Sequence, residues 1–268
     1  MGTELALKLV DDHELTVWNR TAEKAEPLVS RGATAASTPT EAVEGAELVI
    51  TCLFGPDIVR EVVIEPALIP EGVTWADATT ISPADAASFA DAVPGYVHTP
   101  VVGSLPPARA GKLGVYAGGA DASRRSKVAD VVAPWAAANP SRLKEVDTAA
   151  GAAVGKLLAN LALAVTIEGF KEALYLGESQ GLAPEQVVDM LGSTGLEFIV
   201  NMKSPFLLGE RSTSPGDFTA DAIAKDARLM LASADQDLPA VSAALASLEA
   251  QQDAGHGDED FSTVVVNR

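Results

Sequence analysis

Between residues 149 and 182 the chain carries no proline and almost no strand pattern, and this stretch separates two kinds of sequence. Ahead of it, short β-type runs alternate with helical patterns. Residues 14–18 read as strand and 22–31 as helix; 48–53 as strand and 56–63 as helix; 73–78 as strand, followed by a helix opening at Ser82-Pro83; then 96–99 and 113–117 as strands. Strands alternating with helices build βαβ units and a mostly parallel sheet. The unbroken hydrophobicity of 48–53 marks a strand covered on both faces. Behind the stretch, Pro184 opens a helix over 185–191, and 218–233 and 239–252 supply two more. The expectation is an α/β domain over residues 1–147 followed by an all-α domain over 148–268. No Ser/Gly linker intervenes, so the long helix itself joins them. The acidic, glycine-punctuated segment 253–260 reads as an ordered loop or solvated turn.

Charge narrows the function classes. Against 19 Lys and Arg stand 37 Asp and Glu, a formal net charge of -18. Such a surface repels phosphate backbones and anionic lipid, so no nucleic-acid or membrane partner is expected, and any anionic ligand must be caught by a local cluster of positive groups. Residues 148–167 are long enough for a membrane span. Their one charge, Lys156, would sit near its centre at a cost of ~2.5–3.5 kcal/mol, and a buried helix is the better reading. The single cysteine, Cys52, cannot form an internal disulfide and reads as core; with no recognisable leader, a cytoplasmic location is expected.

Two places carry chemistry. A nucleotide-binding βαβ unit needs a Gly-rich turn, a helix whose N-terminus faces the pyrophosphate, and a second strand ending in a ribose-reading residue. Here Gly2 precedes a helical pattern at once, and the next strand ends at Asn19-Arg20-Thr21. The spacing fits a dinucleotide fold whose first strand and first two glycines are absent, with Gly2 as the last glycine of G-x-G-x-x-G. An acidic residue at the strand end would bond a ribose 2′-hydroxyl, whereas Asn19 with Arg20 offers a planar cation to a 2′-phosphate, favouring NADP over NAD. An Arg20 that only caps a solvated turn fits the same residues. The second place is Lys156, an ammonium in an Ala/Leu helix, where loss of water favours proton exchange near neutral pH. Asn160 lies four residues on, on the same helical face. The pair can hold a carbonyl or hydroxyl oxygen while Lys156 gives or takes its proton; a lysine snorkelling to water is the alternative. His13, His98 and His256 are too dispersed for a metal site, and His98 reads as core or surface.

These residues give the chain its resemblance to the β-hydroxyacid dehydrogenases, the group of 3-hydroxyisobutyrate dehydrogenase and the small glyoxylate/succinic semialdehyde reductases. The resemblance implies a Rossmann-type sheet domain with an all-α partner, and a homodimer. Asn19-Arg20-Thr21 resembles the NADP-type strand end. Asp77-Ala78-Thr79-Thr80-Ile81-Ser82-Pro83 is similar to the D-x-S/T-T-x-x-P stretch, which implies Thr79 beside the nicotinamide, and Leu53-Phe54 stands where the nucleotide passes a strand end. Thr99-Pro100-Val101-Val102-Gly103-Ser104, with Pro107-Ala108 and Gly111-Lys112-Leu113 behind it, resembles the substrate loop, whose glycine amides hold a carboxylate. Val102 replaces its usual serine, which removes a hydroxyl donor, and Ser104 matches the reductase variant. Gly155-Lys156-Leu157-Leu158-Ala159-Asn160 looks like the catalytic helix with Ala159 in place of an asparagine. Lys225-Asp226 is similar to a K-D pair near the nicotinamide, and Gly257-Asp258-Glu259-Asp260-Phe261-Ser262 resembles the closing G-x-x-D-F-S.

The expected activity is NADPH-dependent reduction of a small aldehyde or 2-oxo acid, or the reverse oxidation of a hydroxyacid. Lys156 would be the proton donor, Asn160 and Thr79 would orient, and Lys156, Lys225 and Arg20 would supply local positive charge. Imine reductases share this scaffold but typically lack the lysine, so Lys156 favours carbonyl chemistry. The rival from another class is a non-catalytic nucleotide-binding or interaction protein, which has no use for an ammonium inside an apolar helix.

Overall fold

The computed structural model describes residues Met1–Arg268. Two compact units divide inside the long helix, Met1–Lys156 and Leu157–Arg268.

In the first unit the chain runs through α1 (Gly2–Leu7), β1 (Thr16–Val17), a 3-10 turn into α2 (Glu26–Val29), β2 (Thr34–Ala35) and α3 (Pro39–Val43). Then come β3 (Leu48–Thr51), α4 (Pro56–Val59), β4 (Thr74–Asp77), α5 (Pro83–Ala92), β5 (Tyr96–His98), β6 (Val101–Val102) and α6 (Leu105–Arg109). The unit closes with β7 (Gly114–Gly118), α7 (Ala122–Val132), β8 (Leu143–Val146) and the first turns of α8 (Ala149–Ser179). Strands β3, β4 and β5 are parallel neighbours, with Val49 opposite Trp75 and Trp75 opposite Tyr96. Beyond β5 the sheet is mixed. β7 runs antiparallel to β5 and β6 and parallel to β8, because the chain returns from β6 through the short α6 without the crossover a parallel partner needs. β1 and β2 pair only with each other, and β3 ends the larger sheet. No strand joins β1 to β3.

Strands β3, β4 and β5 are covered on both faces, which is why their apolar residues do not simply alternate with polar ones. Trp75, Ile81, Phe89 and Tyr96 pack with Ala149 and Ala153 in one cluster. Leu5, Val97, Val115, Val128, Val132 and Trp135 form another, where the Trp135 indole donates to the Leu5 carbonyl at 3.1 Å. Ser82 and Asp85 form a capping box with Pro83 at the first helical position, so α5 starts immediately after the β4 turn.

The second unit is helical: the rest of α8, α9 (Pro184–Leu191), α10 (Glu197–Leu207), α11 (Ala220–Ser233), α12 (Pro239–Asp253) and α13 (Thr263–Val266). Ala164, Ile167, Phe170 and Leu174 form the buried stripe of α8, at the three- and four-residue spacing of one helical face. Segment 253–260 is not a solvated turn at its end. Asp260 is fully buried and pairs with Lys203 at 2.6 Å, and the Lys203 ammonium lies 3.7 Å from the Phe261 ring centroid. Burial pulls Lys203 below the ordinary lysine range, and the Asp260 carboxylate opposes that shift.

Candidate active site

At the end of β1, the Asn19 side-chain oxygen accepts the Thr21 N–H at 2.9 Å, an Asx turn that holds Arg20 at its apex. Arg20 is exposed and belongs to none of the ion pairs. A guanidinium left unneutralised in so acidic a chain is suited to a phosphate. Gly2 opens α1 against the end of β3, where a Cβ would meet Cys52 only at an ordinary 3.5 Å. Packing within the chain therefore does not demand a glycine there. Cys52 is half-buried against the core, as expected, and burial pushes its thiol up.

The ends of β3 and β4 are tied together by side chains. Thr79, buried, accepts the Leu53 N–H on its hydroxyl oxygen at 2.9 Å. The fully buried Asp77 accepts on Oδ1 from the Thr51 hydroxyl (2.8 Å) and the Thr79 N–H (3.0 Å), and on Oδ2 from the Tyr96 hydroxyl (3.2 Å). Burial raises the Asp77 carboxyl to about 6, against the pull of these donors. The Tyr96 hydroxyl also lies 3.1 Å from His98 Nδ1. Because the tyrosine spends its one proton on Asp77, His98 donates from Nδ1, and its buried Nε2 has no partner. Burial lowers His98 to about 3, so the imidazole is neutral. His98 is thus core, and Phe54, beside Leu53, is exposed.

The loop resembling a substrate site leaves β6. Gly103 has φ +141°, and a Cβ there would stand 2.6 Å from a Leu113 methyl and 3.2 Å from Pro107. Glycine is required by conformation and by space. Val102, half-buried, is paired through the backbone to Gly114. Ser104 precedes α6 at its N-cap without a side-chain capping bond.

Lys156 and Asn160 are both buried, one turn apart on α8. The Asn160 amide nitrogen donates to Asp226 Oδ2 at 2.5 Å, which fixes the orientation of the carboxamide. Lys225 stands 2.6 Å from Asp226 Oδ1, so its charge is offset locally. Asp226 orients Asn160 without having been expected to; its place on the apolar stripe of α11, three residues after Ile223 and four before Met230, is the one trace of this in the sequence.

The donor set fits an anionic dinucleotide at both ends, with an unneutralised Arg20 at the ribose strand end and a Thr79–Leu53 pair at the β3–β4 ends. The middle is represented by the N-terminus of α1 alone. Comparison with known proteins agrees in kind. Residues 1–147 match the model of the NAD binding domain of 6-phosphogluconate dehydrogenase, and residues 149–267 match the NAD-binding domain of NADP-dependent 3-hydroxyisobutyrate dehydrogenase. Glyoxylate/succinic semialdehyde reductase 1 of Arabidopsis thaliana is 28% identical, over 99% of this chain and 94% of its own. The 3-hydroxyisobutyrate dehydrogenase of Pseudomonas aeruginosa is 29% identical, over 98% of this chain and 94% of its own. The solved 3-hydroxyisobutyrate dehydrogenase of Mycobacterium tuberculosis shares the fold, with a TM-score of 0.84 at 24% identity, covering 100% of this chain and 95% of that one.

Proposed function

This chain belongs to the β-hydroxyacid dehydrogenase family of NAD(P)-dependent oxidoreductases, and on that premise we propose that it reduces a small aldehyde or 2-oxo acid with NADPH, or runs the reverse oxidation of the hydroxyacid. Bound NADPH would supply the hydride. Arg20 would hold its 2′-phosphate, Asn19 and Thr21 would shape the turn around the ribose, and Leu53, Phe54 and Thr79 would line the nicotinamide half. Lys156 gives a proton to the forming alkoxide oxygen in reduction and takes it from the alcohol in oxidation. Asn160, its carboxamide oriented by Asp226, keeps that oxygen at hydrogen-bonding distance, and Lys225 completes the charge balance at Asp226. The Gly103 amide and Ser104 receive a substrate carboxylate or carbonyl, while Val102 contributes shape rather than a donor.

The observation that carries the reading is Lys156 on the buried face of α8 with Asn160 one turn on. A structural lysine has no need of an oriented carboxamide at that spacing. The exposed apolar residues of α8 support a homodimer, and the single cysteine fits a reducing compartment such as the cytoplasm. Loss of NADPH absorbance with glyoxylate, succinic semialdehyde, other small semialdehydes and cyclic imines tests the assignment. Turnover of a carbonyl compound that disappears in Lys156→Ala supports it. Turnover of imines alone, or of nothing in the panel, sinks it.

A further inference from the structure

We propose that Asp77 is a positioning residue for the nicotinamide half of the cofactor site, its carboxylate locking the Thr79 turn to the end of β3 and to the Tyr96 side chain of β5. The proposal rests on the reading that Thr79 and Leu53 line that half.

The geometry is a chain of donors converging on one buried carboxylate. From β3, the Thr51 hydroxyl donates to Oδ1, and its oxygen in turn accepts the Trp75 indole N–H at 2.9 Å. From the turn after β4, the Thr79 N–H donates to the same oxygen. From β5, the Tyr96 hydroxyl donates to Oδ2, backed by the neutral His98. The backbone repeats the pattern: Ala78 N–H donates to the Thr51 carbonyl and Thr99 N–H to the Asp77 carbonyl, each at 2.7 Å. Thr79 is held from both sides: its hydroxyl oxygen accepts the Leu53 N–H, and its side chain joins the hydrogen bonds that favour the Asp77 carboxylate. Asp77 thus reaches the cofactor side only through Thr79 and Leu53, and touches neither substrate nor cofactor itself.

A carboxylate in a fully buried position between apolar strands is costly for packing alone, since an apolar residue of similar volume avoids the desolvation. What the charge adds is directional: three donors from three segments are aimed at two oxygens, and preorganised donors of this kind set the geometry of a neighbouring site. Tyr96, His98 and Cys52 are the buried titratable groups packed around it, and burial disfavours the charged form of each. The charges of Asp85 and Lys156 reach Tyr96 and Cys52 respectively.

Asp77→Asn keeps the shape but puts an NH2 group where the Tyr96 proton must be accepted. Fluorescence titration of the full chain compares NADPH with 2′,5′-ADP, which has the 2′-phosphate end and no nicotinamide. The expected result is weakening of NADPH by about tenfold with 2′,5′-ADP changed less than about twofold, and an Asp77→Asn, Thr79→Ala double variant weaker than either single by much less than the product. Tyr96→Phe, which leaves the Thr79 bond in place, should show the same selectivity at smaller size, and it serves if Asp77→Asn fails to fold. Equal weakening of both ligands, or fully multiplicative effects of the two substitutions, would mean that Asp77 only supports the core and would overturn the proposal. Unchanged NADPH affinity in Thr79→Ala would refute the cofactor-site reading itself and the proposal with it. A Thr79→Ala loss with no Asp77→Asn loss refutes the proposal alone.

Discussion

A carboxyl and an imidazole buried in one network respond to pH in opposite senses. Asp77 has its carboxyl raised from 3.8 to about 6 by burial, so its contribution to stability is full at low pH and is lost as pH rises through that window. His98 has its imidazole lowered from 6.5 to about 3 by burial, so its contribution is full above 6.5 and is lost as pH falls. Between about pH 4 and 6 the two slopes, each roughly 1 kcal/mol per pH unit, cancel. Asp77→Asn removes one of them, and its urea midpoint, taken relative to wild type, should fall steadily from pH 6 to pH 4. A difference that does not vary with pH would contradict the pairing. At the ribose end, Arg20→Ala should weaken NADPH at least about tenfold and leave NADH almost unchanged, since a charge-assisted contact with a phosphate contributes on the order of 1.5–3 kcal/mol. Equal loss for both cofactors would remove Arg20 from the site. Lys156→Ala should lower kcat by ~10²–10⁴-fold, the range of a positioned proton donor, with NADPH affinity retained. Normal turnover in that variant would refute the mechanism.

At the scale of elements, the start of α8 lies against β7 so closely that two glycines are needed. A Cβ on Gly118 would come 2.5 Å from the Ala152 Cβ and 2.6 Å from the Thr148 carbonyl oxygen, and one on Gly155 would come 2.7 Å from the Tyr116 ring. Lys156 follows that contact directly. Gly118→Ala should therefore cost ~1–3 kcal/mol of stability as an overpacked site and also lower kcat, because it shifts the helix that carries the proton donor. A variant that melts early yet turns over normally would separate the packing from the chemistry and defeat the second claim. The same elements show what the sequence could disclose. α8 was legible because it is free of proline and apolar on several faces, and β3 because it is apolar without a break. β2 was not, being two exposed residues, nor was α7, whose Ser123-Arg124-Arg125-Ser126-Lys127 run masks the buried Val128, Ala129 and Val132. β8 exposes Lys144 and Glu145 at its centre, and Pro205 in α10 argues against a helix that nonetheless tolerates it near its end. In the site, Asn160 was legible from Lys156 by helical spacing. Its tie to Asp226 and the tie of Asp77 to Tyr96 were not, because pairing between distant segments leaves no periodic trace.

For the molecule as a whole, charge and apolar surface act against each other. A net charge of -18 makes two copies repel at long range. Yet α8 leaves Val154 42% and Leu158 60% exposed one turn apart on one face, with Tyr175 and Leu176 exposed further along. An apolar helical face of this kind is covered most simply by its own symmetric copy, where each residue added to the patch counts twice. The two effects have different ranges. Repulsion between surface charges is screened within about 8 Å at physiological salt, whereas burial of apolar area is insensitive to moderate salt. Light scattering at micromolar concentration should therefore give a mass near twice 27.6 kDa, and raising the salt should strengthen the association instead of dissolving it. Leu158→Glu, which adds a charge to the centre of the face, should return the protein to a single-chain mass with its melting temperature little changed. A wild-type mass of 27.6 kDa at every salt concentration, or a Leu158→Glu variant that stays dimeric, would show that this face of α8 is not where two copies meet.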